Sequence, residues 1–271
     1  MSPKPILIAE DNEANRLLTL QQLERLGYQG HAVADGADAI EAVAANDYAL
    51  VLMDCRMPGT DGLAAARAIR DAEFGTGTHT IIVAMTAGAL EDDRTTCLNA
   101  GMDDYLCKPV LLADLQRVFA EWLDDARPAD ARPGAEAGAA PRPPAALGGD
   151  ETDAIDRETF DRFRREVGTS EFAAQFVEIY LGELDGRLDG LRRGREDGDA
   201  ELVTRLAHTL KSTSATLGAL SLADVCRALE AEGADPSSPR AAALIEDVRE
   251  GAELVRRVLL DMGYEPRDAV A

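Results

Sequence analysis

LVLMDCRMPGTDG, residues 50–62, reads as a buried strand that ends on a carboxylate. Apolar residues run without alternation from Tyr48 to Met53, and Asp54 follows directly. A strand without alternation is covered on both faces, which is the habit of parallel sheets. Downstream, Pro58 and Gly62 shape a loop, and Asp61 stands where a carboxylate can cap the helical run that starts at Leu63. Working outward, further apolar runs lie at Ile6–Ala9, Thr80–Met85 and Tyr105–Cys107, with a weaker one at Tyr28–Val33. Helical spacing separates them, over Asn12–Leu26, Gly36–Ala45, Leu63–Arg70, Leu90–Ala100 and Leu112–Trp122. Five such units over residues 1–125 predict an α/β domain with a five-stranded, doubly wound parallel sheet.

The polar residues at the ends of these runs carry the chemistry. Ligands of open parallel sheets bind outside the carboxyl ends of the strands. Four runs end on a useful group there: Glu10-Asp11, Asp54, Thr86 and Lys108. Three carboxylates in one crevice repel one another unless a divalent cation joins them, and an oxygen-only ligand set suits Mg²⁺.

The segments ILIAEDN (6–12), LVLMDCRMPGTDG (50–62), VAMTAGA (83–89) and GMDDYLCKP (101–109) resemble those of two-component response-regulator receiver domains, in particular receivers attached to hybrid histidine kinases. The resemblance covers about residues 4–123 and implies a flavodoxin-like fold. It also implies that Asp54 is the phosphoacceptor and that Glu10 and Asp11 are the acidic pair. Asp11 and the Arg56 backbone carbonyl are then expected metal ligands beside Asp54. Thr86 corresponds to a switch hydroxyl, Tyr105 to a switch aromatic and Lys108 to a phosphate-contacting lysine. Lys108-Pro109 is expected to be cis. Glu10 replaces the more usual Asp of the family.

From Ala126 to Gly149 the chain reads ARPADARPGAEAGAAPRPPAALGG, with five prolines and almost no large apolar residue. That composition predicts a flexible linker over 126–150, spanning on the order of 25–30 Å. Beyond it no strand-like run occurs. Helical patterns cover roughly 156–166, 171–196, 199–217, 220–232 and 240–261, so an all-α four-helix-bundle domain is expected over 151–265.

Within that domain, the helical stretch that contains AHTLKSTSATLGAL (207–220) places Val203, Leu206, Leu210 and Leu217 on one helix face. At about 100° per residue His208 falls well away from this stripe, so it is expected to point outward. Thr204, Ser212 and Ala215 lie beside it as a small-residue platform, and Arg205 and Lys211 flank it with positive charge. The run His208, Lys211, Ser212, followed by LGALSLADVCRALEAEG (217–233), resembles histidine-phosphotransfer (HPt) domains over about residues 154–263. The resemblance implies a phosphohistidine at His208, and no ATP hydrolysis.

Composition excludes other classes. The chain of 271 residues carries a formal net charge of −22, and residues 1–125 alone hold 21 acidic against 9 basic side chains. Neither half has the basic footprint of a nucleic-acid or anionic-membrane binder. No stretch approaches the roughly 20 apolar residues of a membrane span, and no secretory signal is evident. The four cysteines, Cys55, Cys97, Cys107 and Cys226, show no metal-ligand spacing. Reduced thiols in a cytoplasmic protein are expected, with Cys55 the one placed for a redox role because it follows Asp54. No Walker-type motif or kinase ATP-binding segment occurs, so at most phosphotransfer and self-dephosphorylation are expected.

The leading expectation is therefore a phosphorelay intermediate between a sensor histidine kinase and a downstream receiver, using Asp54, His208 and Mg²⁺. The alternative is a regulated binding or phosphate-sink module whose two domains serve separate partners. A third reading is the tail of a hybrid kinase; Met1 directly before the first domain points instead to a complete chain.

Overall fold

The computed structural model describes residues 4–86, 91–123, 154–232 and 235–265. It divides into two compact units, Met1–Pro141 and Arg142–Ala271. The expected linker, 126–150, lies outside the described residues.

The first unit alternates strand and helix in the order β1 (Ile6–Ala9), α1 (Glu13–Arg25), β2 (Gly30–Val33), α2 (Gly36–Ala45), β3 (Leu50–Asp54), α3 (Gly62–Glu73), β4 (Ile82–Thr86), α4 (Glu91–Asn99), β5 (Asp104–Cys107) and α5 (Leu112–Trp122). The sheet order is β2-β1-β3-β4-β5, all parallel. This is the doubly wound, flavodoxin-like arrangement, whose switch point falls between β1 and β3. Every residue of β1, β3 and β4 is buried, which is why those runs read as continuous apolar stretches. Alternate side chains feed two cores. Leu7, Val51 and Met53 pack with Ala65 and Ile69 of α3 on one face. Ile6, Ile8, Leu50 and Leu52 pack with Leu23 of α1 and Leu115 and Phe119 of α5 on the other. The edge strand β2 is half-exposed, and its weaker apolar signal follows from that. Asn12, Asp35 and Asp61 cap α1, α2 and α3 by accepting backbone N–H bonds from Asn15, Asp38 and Ala64.

The second unit is helical: α6 (Arg157–Val167), α7 (Ser170–Asp197), α8 (Ala200–Thr216), α9 (Leu220–Glu232) and α10 (Pro239–Asp261). Helices α7, α8, α9 and α10 pack in a closed ring, each on the next and α10 back on α7. That ring is a four-helix bundle, and α6 lies against α7 and α8. Gly198, with φ 71°, ends α7 in the left-handed region and lets the chain reverse into α8. Phe163 and Phe176, with ring centroids 5.0 Å apart, join the fully buried Tyr180 in the aromatic part of the core. Among the described residues no helix is long and apolar enough to cross a membrane.

Candidate functional site

Strand register brings the first set of groups to one level. Ala9 pairs with Met53, so Glu10 lies level with Asp54 at the neighbouring strand end. Asp54 pairs with Met85, placing Thr86 one residue beyond; Thr86 pairs with Cys107, so Lys108 follows at the same edge. The four expected strand ends therefore meet at the carboxyl side of the sheet. Asp54 and Glu10 are buried, at 1% and 2% exposure, and Asp11 is half-buried. Lys108 Nζ lies 2.6 Å from Asp54 Oδ2 and 2.5 Å from Glu10 Oε2. The other Asp54 oxygen accepts the Arg56 N–H at 3.0 Å. Arg16 donates to the carbonyls of Glu10 and Asp11, both at 2.7 Å, and so shapes the loop that carries the acids. Lys108-Pro109 is cis, as expected.

Close approach also constrains the loop after Asp54. A Cβ at Gly62 would stand 2.0 Å from the Asp54 carbonyl oxygen, so only glycine lets α3 start this near the site.

Carboxylate oxygens of Glu10, Asp11 and Asp54 lie within 4.8 Å of one another. With Lys108 as the cation among them, the cluster keeps surplus negative charge. Burial first, and crowding after it, shift the protonation equilibria. Burial pushes the Asp54 carboxyl up to about 7, Lys108 pulls it down, and Glu10 adds to the rise. Burial also disfavours the Lys108 ammonium, but Asp54 and Glu10 outweigh it and hold the group above its usual range. An all-oxygen, net-negative crevice fits a hard divalent cation by the chemistry of its donors.

Thr86 is buried at the end of β4. Tyr105, half-buried on β5, lies under the Arg94 guanidinium at 5.8 Å from the ring centroid.

The second candidate group departs from expectation. His208 is buried, at 5% exposure, where the helical wheel placed it on an outward face. The reason lies in the bundle. The stripe Val203, Leu206, Leu210, Leu217 marks only one flank of α8, which is covered by α6, α7 and α9. Leu206 is in fact half-exposed, while Lys211, Ser212, Thr213 and Ser214 are buried. Of the expected platform, Ser212 is enclosed and Thr204 and Ala215 are half-buried. Arg205 is exposed, as a solvent-facing cation should be.

Glu230, on α9, completes this group and was not singled out in the sequence. Its Oε1 lies 2.8 Å from His208 Nδ1, and its Oε2 accepts from Lys211 Nζ. Burial raises the Glu230 carboxyl, but His208 and Lys211 outweigh that and lower it to about 2. A faint signal existed: Leu222, Cys226 and Leu229 form the buried stripe of α9, and Glu230 follows Cys226 by one helical turn.

Residues 6–120 match the family model for the response regulator receiver domain, and residues 175–257 match that for the Hpt domain. The chain thus carries a receiver domain followed by an Hpt domain. It is 31% identical over 226 residues to the sensor histidine kinase GacS of Pseudomonas protegens, a match covering 83% of this chain and 24% of GacS. It is 37% identical over 122 residues to the sensor histidine kinase RcsC of Salmonella typhi, covering 45% of this chain and 12% of RcsC. The chain therefore spans about a quarter, or less, of the length of these relatives. Among solved structures it is similar to the receiver domain of the sensor histidine kinase PA1611 of Pseudomonas aeruginosa, which holds a magnesium ion in its active site cleft. That match has 43% identity and a TM-score of 0.42, and covers 45% of this chain and 98% of that one.

Proposed function

We propose that this protein is a phosphorelay intermediate in a two-component system, with Asp54 and His208 as its two phosphoryl carriers. The observation that carries the reading is the convergence of Glu10, Asp11, Asp54 and Lys108 at the carboxyl edge of a parallel sheet, in the same chain as a helical domain that holds a histidine against a carboxylate shared with a lysine. The domains are taken as 1–125 and 151–265, joined by a tether over 126–150.

Asp54 attacks as an anion. One of its oxygens forms the new P–O bond while the P–N bond of a donor phosphohistidine breaks and the donor imidazole leaves. The step asks for positioning and for neutralisation of charge on the phosphoryl oxygens rather than for a general base. Glu10, Asp11 and Asp54, with the Arg56 carbonyl, would hold Mg²⁺, and the bound ion supplies that neutralisation from one side. Lys108 supplies it from another, having been released from Asp54 to the phosphoryl group. Thr86 binds a phosphoryl oxygen, and its movement is passed to Tyr105.

At His208, Nδ1–H donates to Glu230, which leaves the Nε2 lone pair as the nucleophile. Lys211 and Arg205 stabilise the phosphorylated ring, and Ser212 leaves room beside it. Because His208 is buried, transfer requires that its covering residues move aside. The donor on this reading is a sensor histidine kinase and the acceptor a downstream receiver, both met in the cytoplasm. Neither nucleic-acid binding nor membrane insertion forms part of it.

Labelled phosphate from a cognate kinase, followed in wild type, Asp54→Ala and His208→Gln, tests the route. The relay predicts label on His208 that disappears in Asp54→Ala. Label that persists there would instead support separate partners for the two domains.

A further inference from the structure

We propose that Cys55 and Cys97 form an oxidisable pair, closed to a disulfide by a hydroperoxide, that ties the end of β3 to α4 and so modulates Asp54. The Sγ atoms lie 3.3 Å apart, between residues separated by 42 positions. The pair is asymmetric in a useful way. Cys55 is half-buried, whereas Cys97 is 3% exposed in the core between the sheet and α3, so a small oxidant meets Cys55 first and Cys97 serves as the resolving thiol.

The chemistry closes without any other reagent. Cys55 Sγ attacks the O–O bond of the hydroperoxide; an S–O bond forms, the O–O bond breaks, and the thiol proton leaves with the alkoxide as an alcohol, or as water from hydrogen peroxide. Cys97 Sγ then attacks the sulfenic sulfur of Cys55. The S–S bond forms, the S–O bond breaks, and hydroxide leaves with the Cys97 proton as water. The thiols lose two electrons and one peroxide gains them. The contact with Cys97, and then burial, hold the Cys55 thiol well above its usual range, so oxidation is slow compared with a surface thiolate.

The link to Asp54 runs through the backbone. Cys55 N–H donates to the Met85 carbonyl at 3.1 Å, and the Cys55 carbonyl accepts from Gly62 at 3.3 Å. Its neighbour Arg56 holds Asp54 Oδ1. A disulfide requires a sulfur separation of about 2 Å, so closure draws Cys55 and Cys97 together by roughly an ångström, and Cys55 lies between two residues that set the site. Displacements of that size are costly where a reacting atom must be placed closely.

The full-length chain, with Cys55→Ser and Cys97→Ser variants, is treated with hydrogen peroxide, alkylated under denaturing conditions and digested. Wild type should yield the Cys55 peptide joined to the Cys97 peptide, cleavable by dithiothreitol. Cys107 shares the tryptic peptide of Cys97, so loss of the link in Cys97→Ser identifies the partner. Acetyl phosphate labelling of the cross-linked wild type should fall at least about fivefold and recover on reduction, while peroxide leaves labelling of Cys55→Ser unchanged. Alkylation of both thiols after peroxide, or a link that persists in Cys97→Ser, overturns the pairing. A cross-link with unaltered labelling overturns its coupling to Asp54. The mass readout does not depend on Asp54 being a phosphoacceptor, so the two readings fail separately.

Discussion

Asp54 and His208 each belong to a cluster built on one lysine and a neighbouring carboxylate: Lys108 bridges Asp54 and Glu10 in one domain, and Glu230 bridges His208 and Lys211 in the other. The two arrangements are built differently. Around Lys108 the partners stand 98 and 54 residues away and converge because parallel strands end in one row. Around Glu230 they stand 22 and 19 residues away, on adjacent helices of a bundle. Charge separates them further. Three carboxylates around one ammonium keep a negative surplus that a divalent cation completes, whereas Glu230 is already matched by a lysine and an imidazole. The same residue types thus make a net-negative crevice suited to a divalent cation in one fold and a self-balanced trio in the other.

Removing each proposed phosphoryl carrier is the strongest way to break this contrast. Asp54→Ala should abolish acetyl phosphate labelling of the receiver outright, while His208→Gln leaves it intact; phosphopeptide mapping reads both. Chelation should come next. EDTA should slow Asp54 labelling by on the order of 1000-fold, yet leave decay of a phosphohistidine at His208 unchanged. Equal sensitivity of the two sites to EDTA would remove the distinction drawn here.

Glu230 sharpens the helical half. Glu230→Gln should slow phosphoryl transfer through His208 by roughly 10- to 100-fold without affecting Asp54, because the imidazole loses the negative charge of the acceptor that orients Nδ1–H. Its effect on stability depends on pH with a definite sign. The folded-state pKa is depressed, from the ordinary 4.5 to about 2, so the stabilisation is full above about 4.5 and is lost as pH falls through about 2. The thermal-unfolding difference between wild type and Glu230→Gln, followed by circular dichroism, should therefore shrink steadily from pH 5 to pH 2. A constant difference over that range argues against the ion pair. The smallest effect concerns access: diethyl pyrocarbonate should modify His208 several-fold more slowly than the exposed His31 and His79, since reaction requires solvent contact.

Particular residues show where sequence reasoning succeeded. Leu50–Asp54 and Ile6–Ala9 were legible as buried strands because a doubly covered sheet leaves an unbroken apolar run. Helix α2 matched its expected limits, Gly36–Ala45, with Asp35 as its cap. The crevice followed from the strand ends, since in a parallel sheet those ends must share one edge. His208 is the counter-example. A helical wheel weighs only the largest apolar residues, and it misses a face covered by Ser212, Thr213 and Ser214, whose small side chains are buried by neighbouring helices. Glu230 escaped notice for a related reason: a glutamate beside a buried stripe reads as solvated until its partners are brought against it.

By itself, the sequence determined the order of strands and helices, the division into an α/β domain and a bundle, and the positions of Asp54, Lys108 and His208. These depend on local periodicity and on residue chemistry at element ends. Only the tertiary structure decided that His208 is enclosed, that Glu230 bridges it to Lys211, and that Cys55 meets Cys97. Each of those contacts joins side chains from different elements, and their distances arise from packing, which periodicity along one chain segment does not encode.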